Sequence, residues 1–277
     1  MDHTVFIYVT NFSAVTIMMV LGWAISLVKR NVTIVDTLWG AGFVLIAWIT
    51  FALSDGYFYR KLLLALLVTI WGGRLSLYLA WRNHGKEEDP RYGAWRKTYG
   101  ENFWWVSLFN VFLVQAIFMW AIALAFQYGM VSPMPVTMTW LDGIGLAIWA
   151  TGFLSEAIGD WQLARFKSRP ENRGKVMDRG LWAYTRHPNY FGEALIWWGI
   201  SLMVLATPGS LWTLVSPIII TVVLLKVTGV ALTEKIILES RPEYKRYIEQ
   251  TSAFIPWPPK RRHDENSDES CREGHSA

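Results

Sequence analysis

The chain has 277 residues; 53% are apolar or aromatic, 15% are aromatic and only 17% are charged, with a mean hydropathy of +0.25, against about 25% charged in an ordinary soluble domain. That composition excludes a disordered chain and argues against a soluble enzyme. The single cysteine, Cys271, sits in a polar tail, which excludes an intrachain disulfide and a zinc site of the cysteine type, and the net charge of +4 points away from nucleic acid because the cations lie beside apolar stretches.

A bilayer core about 30 Å thick needs about 20 mostly apolar residues per helix. Seven windows meet or approach that requirement: Val5–Val28, Ile34–Leu53, Leu62–Trp81, Ser107–Tyr128, Trp140–Leu163, Tyr190–Ala206 and Leu211–Leu232. The first reads as a retained helix and not a signal peptide, since Lys29-Arg30 follows the apolar run instead of preceding it. With seven spans, loops 29–33, 82–106 and 164–189 and the C-terminus share one side, and they hold 22 of the 26 Lys and Arg. Arg60 and Lys61 fall on the other side, and Arg74 and Lys226 inside spans. The positive-inside rule puts the basic side in the cytoplasm and the N-terminus outside. The expectation is an all-α integral membrane protein with seven transmembrane helices, one domain over residues 1–259, and a disordered polar cytoplasmic tail over 260–277. No internal repeat is visible.

Ionisable side chains inside spans are expensive and are functional candidates by default. Here they are Asp36, Arg74, Glu156, Asp160, Glu193, Lys226 and, at the end of the last helix, Glu234. Trp71, Arg74 and Tyr78 share one helix face, and Asn189, Glu193 and Trp197 another. Glu156 and Asp160, one turn apart, repel unless a cation or a hydrogen-bond donor lies between them. Each such residue could equally serve as a structural pair between helices. The second cytoplasmic loop carries Arg165, Lys167, Arg169, Arg173, Lys175, Arg179 and Arg186, and runs into Tyr184-Thr185-Arg186-His187-Pro188-Asn189-Tyr190-Phe191-Gly192-Glu193. Pro188 sits where a helix starts. Cations beside a helix N-terminus suit a phosphate-bearing ligand, although cations beside a membrane also contact lipid headgroups without any ligand. No GxGxxG, P-loop or zinc-protease motif occurs.

The stretch Arg186 to Glu193, with Arg241-Pro242-Glu243-Tyr244-Lys245-Arg246-Tyr247 and Phe254-Ile255-Pro256-Trp257, resembles the steroid 5-alpha-reductase family in its bacterial branch. Val35-Asp36-Thr37-Leu38-Trp39-Gly40, Trp71 through Tyr78, Trp81 through Lys86 and Asp89-Pro90-Arg91-Tyr92 fit the same pattern. The resemblance runs from about Asn31 to Pro258. It implies a seven-helix, monomeric reductase of the bacterial inner membrane that takes NADPH from the cytoplasm and reduces the C4–C5 double bond of 3-oxo-Δ4 steroids. It implies that Asp36 is the acid at the 3-oxo group. Arg74, Asn83, Lys86, Asp160, Arg165, Lys167, Arg173, Lys175, Arg179, Tyr184, Arg186, His187, Asn189, Tyr190 and Glu193 would face the cofactor, with Trp197 against the same pocket. The animal enzymes pair a Tyr with the acid; Trp71 stands at that position here, and Tyr78 on the same face could replace it. A Gln normally precedes the acid, and here it is Val35.

Reducing an enone needs a hydride at the β carbon and a proton at the α carbon. Asp36 would act as the protonated acid at the carbonyl oxygen. Apolar burial favours the neutral acid and a neighbouring cation the carboxylate, so Arg74 is expected nearer the phosphates than Asp36. The lipid bilayer and a steroid or isoprenoid-like enone are the expected partners. The RHPxYxGE element also resembles membrane methyltransferases of the isoprenylcysteine carboxyl methyltransferase type, which use S-adenosylmethionine. That ligand carries no phosphate and would leave the cations, Asp36 and Arg74 without a task. A transporter would show matching halves, and none are found.

Overall fold

The computed structural model describes residues 2–227, 229–241 and 243–260; Cys271 and the tail expected to be disordered, from residue 261 onward, lie outside the described residues. Among the described residues the chain is helical, with no strand and a single bridge between Thr185 and Ser252.

Helix α1, His3–Lys29, is capped by Asp2, whose carboxylate accepts from the Thr4 amide at 3.1 Å. It ends where Arg30 turns left-handed at φ 50°. Helices α2, Ile34–Leu53, and α3, Phe58–Asn83, follow. Helix α4, Pro90–Tyr99, starts with Asp89 as the cap and Pro90 in its first turn, the order that leaves no amide wasted. A 3-10 turn, the short α5 (Phe103–Ser107) and a π turn (Leu108–Leu113) lead into α6, Val114–Val131. Helix α7 spans Trp140–Lys167 and α8 Pro188–Val204. A 3-10 segment, Ser210–Leu214, then α9, Val215–Val222, and a π turn, Val223–Val227, precede α10 (Val230–Ser240) and α11 (Tyr244–Gln250).

Among the described residues, five helical stretches are long and apolar enough to cross a membrane: His3–Lys29, Ile34–Leu53, Phe58–Asn83, the run Pro90–Val131, and Trp140–Lys167. The first five sequence windows fall within them. The sixth window is a helix of 17 residues, at the short end for a crossing, and the seventh is a shorter apolar stretch, Ser210–Lys226, that changes its winding twice. The helices also outlast the apolar windows: α3 continues to Arg82 and Asn83, and α7 to Arg165 and Lys167, because long basic stems extend an apolar helix into the interface.

The chain divides into two compact units, residues 1–153 with 194–221, and residues 154–193 with 222–277. In the first unit α2 and α3 meet backbone to backbone: a Cβ on Gly40 would lie 2.3 Å from the Gly72 carbonyl oxygen. Small residues allow that approach where lipid offers no hydrophobic drive. The same unit holds a buried aromatic core. Phe43, Trp71, Phe126 and Trp197 are fully buried, with Phe43 and Trp71 centred 4.7 and 5.3 Å from Trp197. Elsewhere in this unit Asn11 donates to Thr50 Oγ1 at 2.8 Å and to Gln127 Oε1 at 2.7 Å, and all three are fully buried. Arg60, read from sequence as a loop cation, is also fully buried. It forks onto Asp142 at 3.0 and 2.8 Å and donates to the carbonyls of Pro135 and Thr137 at 3.1 and 3.0 Å. Asp142 in turn caps α7 by accepting from the Thr139 amide and hydroxyl at 2.7 and 2.9 Å.

In the second unit the loop after α7 is tied back onto that helix. Trp182 Nε1 donates to the Gly159 carbonyl at 3.0 Å, and the Leu181 amide to Gln162 Oε1 at 3.0 Å. Thr185 and the Arg186 amide bind the strand-like segment 252–254, and the Trp257 amide donates to the Tyr184 carbonyl at 2.9 Å.

Candidate functional site

In the first unit the candidate centre is built around the start of α2. Asp36 stands in its first turn, with its side chain 14% exposed. The Tyr92 hydroxyl donates to Asp36 Oδ1 at 3.0 Å, and Arg91 Nη2 lies 3.4 Å from Oδ2. Both partners come from α4, which is bolted to the turn before α2. Asp89 takes Arg91 Nε at 2.8 Å, and its amide donates to Thr33 Oγ1 at 2.8 Å. Glu88 accepts from the Val32 amide at 2.8 Å and from two nitrogens of Arg96, each at 2.8 Å. Burial works to raise Glu88 and Asp89, but the hydrogen bonds from Arg96 and Val32, and from Arg91, outweigh it and hold both carboxyls below the usual range.

On α3, Tyr78 has the guanidinium of Arg74 over its ring at 5.8 Å and that of Arg82 at 5.9 Å. Asn83 closes the helix, and its Oδ1 accepts from Arg82 Nε at 3.1 Å. Lys86 is exposed. Trp71 and Trp197, expected at the carbonyl and against the cofactor pocket, belong to the filled aromatic core.

In the second unit a concavity of about 440 Å³ opens beyond the end of α7. Lys167, Arg169, Arg173, Lys175 and Arg241 line it, and no lining residue is a carboxylate. Its wall is a tight turn: the Lys175 amide donates to the Asn172 carbonyl at 3.0 Å, and Gly174 sits at φ 83°, where only glycine is free of strain. Arg241 Nη1 donates to the Lys175 carbonyl at 2.8 Å and ties the C-terminal segment to this turn. Five cations on one wall create a local field that suits a ligand of charge −2 or more.

Other expected residues in this unit have different surroundings. Asn189 Nδ2 donates to Asp160 Oδ1 at 3.2 Å. Arg165 stacks over Trp161 at 5.4 Å, Arg179 is 87% exposed beside Asp178, and Tyr184 is half exposed. Arg186 forms a clasp. Its Nε and Nη2 hold Glu234 at 2.7 and 3.2 Å, and Nη1 holds the carbonyls of Ile248 and Thr251. His187 Nε2 meets Glu234 Oε1 at 3.0 Å and stacks flat on Tyr190 at 5.3 Å. Burial opposes the charge on Glu234, but the hydrogen bonds from His187 and Arg186 win and keep this carboxyl below the usual range. Glu193 also belongs to this unit. Sequence reasoning gave no role to Arg91, Tyr92 or Arg241. The Asp-Pro pair at 89–90, a helix-start signal, could have turned loop 82–106 into a helix and brought Arg91 and Tyr92 into view. Among the described residues, no three or more His, Cys, Asp and Glu side chains gather as a metal site.

A relative from Schizosaccharomyces pombe, described as "Uncharacterized protein C594.04c", is 27% identical over 264 residues, covering 84% of this chain and 75% of the relative. No solved structure matches the chain. Residues 22–251 match the family described as "Protein of unknown function (DUF1295)", and with most of its length inside that match, the chain belongs to the DUF1295 family.

Proposed function

We propose that this chain is a membrane-bound, NADPH-dependent reductase of conjugated enones, with 3-oxo-Δ4 steroids or isoprenoid-like enones as the substrate class. The observation that carries this reading is the concavity of the second unit, with five cations and no carboxylate. Lys167, Arg169, Arg173, Lys175 and Arg241 fit the phosphates of NADPH, including the 2′-phosphate that NADH lacks. S-adenosylmethionine carries no phosphate, so the methyltransferase reading leaves that charge unexplained.

When bound, NADPH supplies the hydride. Of the chain's own residues, Lys167, Arg169, Arg173, Lys175 and Arg241 would hold the phosphates, and Asp36 would face the substrate oxygen on which negative charge develops. One such hydrogen bond is worth about 3–4 kcal/mol, so Asp36→Asn is expected to lose at least about ten-fold in turnover; wild-type turnover would remove the assignment. The topology that suits this role has seven spans, with α8 and the stretch 210–227 as the last two. The N-terminus lies outside and the cation-rich segments face the cytoplasm, in a bacterial inner membrane.

The experiment is a thermal-shift titration of the detergent-purified protein with NADPH, NADH and S-adenosylmethionine. At 100 times the dissociation constant a ligand adds about 2.7 kcal/mol. Stabilisation by NADPH alone supports the reductase, with testosterone and progesterone as the next substrates to assay. Stabilisation by S-adenosylmethionine alone overturns it.

A further inference from the structure

The connection between α6 and α7, residues 132–139, joins the ends of two stretches that are long and apolar enough to cross a membrane. From Val131 to Leu141 the chain carries no Lys, Arg, Asp or Glu. Met134, Val136 and Met138 are exposed, and so is Trp140 at the start of α7. The Tyr57 amide donates to the Ser132 carbonyl at 3.2 Å and ties the connection to the start of α3, where Phe58 and Tyr59 are exposed as well. Turns that face water are built mostly from Gly, Pro, Asn, Asp and Ser; here the exposed side chains are large and apolar or aromatic.

The backbone of this connection is provided for within the fold. The Ser132 amide donates to the Tyr128 carbonyl at 3.2 Å, the Met134 amide to Ser132 Oγ at 3.3 Å and the Thr139 amide to Asp142 at 2.7 Å. Pro133 and Pro135 have no amide hydrogen to place. Ser132 Oγ donates to the Met134 carbonyl at 3.0 Å, and the Asp142 amide to the Thr139 carbonyl at 3.1 Å. The carbonyls of Pro135 and Thr137 both go to Arg60. Irregular backbone is tolerated at membrane depth only where protein or a water-filled cavity satisfies its polar groups. A fully buried guanidinium is a costly way to fix a loop that water could solvate.

We propose that residues 132–140 form a membrane-inserted anchor. The connection dips into the boundary between headgroups and acyl chains, with Met134, Val136, Met138 and Trp140 in lipid and Arg60 as the group that lets its backbone enter. Lipid is the occupant of this apolar face because the segment runs at both ends into stretches that cross the membrane. Trp140 and Tyr59 are the residue types enriched at that depth. Lys61, the other cation at this end of α3, likewise gives its ammonium to a carbonyl, that of Ser54.

Spin labelling of the full chain in lipid nanodiscs tests the anchor. Cys271→Ser removes the only native thiol. A nitroxide is then attached at Val136→Cys, at Met138→Cys or, as the control, at Asp55→Cys, an exposed position between α2 and α3. Power saturation with oxygen and with a water-soluble nickel chelate reads the depth. The labels at 136 and 138 are expected to favour oxygen and to lie about 5–10 Å into the headgroup and acyl boundary, and the label at 55 to favour nickel. Labels at 136 and 138 as open to nickel as the one at 55 overturn the anchor. Spin–spin broadening at 136 that vanishes on dilution with unlabelled protein places a second copy there and overturns it too. The double change Arg60→Met with Asp142→Leu strands no charge but removes the donors to Pro135 and Thr137, so the label at 136 is expected to shift toward nickel. An unmoved depth overturns the part given to Arg60. None of these readouts involves NADPH, so the anchor and the reductase reading fail separately.

Discussion

Arg60 and Arg173 are the same side chain put to opposite uses. Arg60, in the first unit, is fully buried and spends every nitrogen on Asp142 and two carbonyls. Arg173, in the second, lines an open concavity with four other cations and no carboxylate. A cation neutralised within the fold stabilises it only while both partners remain, since a lone buried charge is far costlier than the pair. Cations gathered on one wall repel one another, and an incoming anion relieves that repulsion. The contrast separates a cation neutralised within the fold from cations gathered at an open concavity, and sequence position alone does not separate them.

Four substitutions can break that contrast or sharpen it. Asp142→Ala should have the largest effect, about 3–5 kcal/mol of destabilisation, because it strands Arg60 in the interior. Thermal unfolding in detergent reads this, and the double change Arg60→Met with Asp142→Leu should recover most of the loss. Glu234→Gln should cost about 1.5–3 kcal/mol, the range for hydrogen bonds to a charged group. Its pH dependence has a definite sign. Glu234 is held below the usual range by His187 and Arg186, so its contribution is complete above the ordinary glutamate titration. It is lost as the pH falls through the lowered value, and the gap between wild type and Glu234→Gln should close in acid. The smallest stability effects belong to the concavity. Arg173→Ala and Lys175→Ala should leave the ligand-free protein within about 0.5 kcal/mol of wild type while reducing its stabilisation by NADPH. If either substitution unfolds the protein, those cations serve the fold as Arg60 does.

The helical class was readable because apolar windows of sufficient length admit few other structures in lipid. The helix ends were not, because hydropathy stops where Arg82 or Arg165 begins while the backbone continues. The cation loop was legible as a charge count, but its fifth lining cation was not: Arg241 lies 66 residues from the Lys175 carbonyl it binds. Asp36 stood out as an acid in a span, yet its neighbours are 55 and 56 residues away in Arg91 and Tyr92. The Arg60–Asp142 pair was missed because Arg60 reads alone as a loop cation and its partner lies 82 residues away. The clasp of Arg186 and His187 shows the limit of motif reading. Much of that conspicuous motif's bonding capacity goes to the carboxylate and carbonyls that anchor α10 and α11.

The buried trio Asn11, Thr50 and Gln127 sets an order of events during synthesis. Thr50 follows Asn11 by 39 residues and Gln127 follows it by 116. At about 5–20 residues added per second, the 77 residues from Thr50 to Gln127 take about 4–15 s. Over that interval the amide of Asn11 sits in an apolar helix with Thr50 as its only partner from this trio. The α1–α2 hairpin must therefore wait, at the insertion machinery or in the bilayer, until the ribosome delivers the third member.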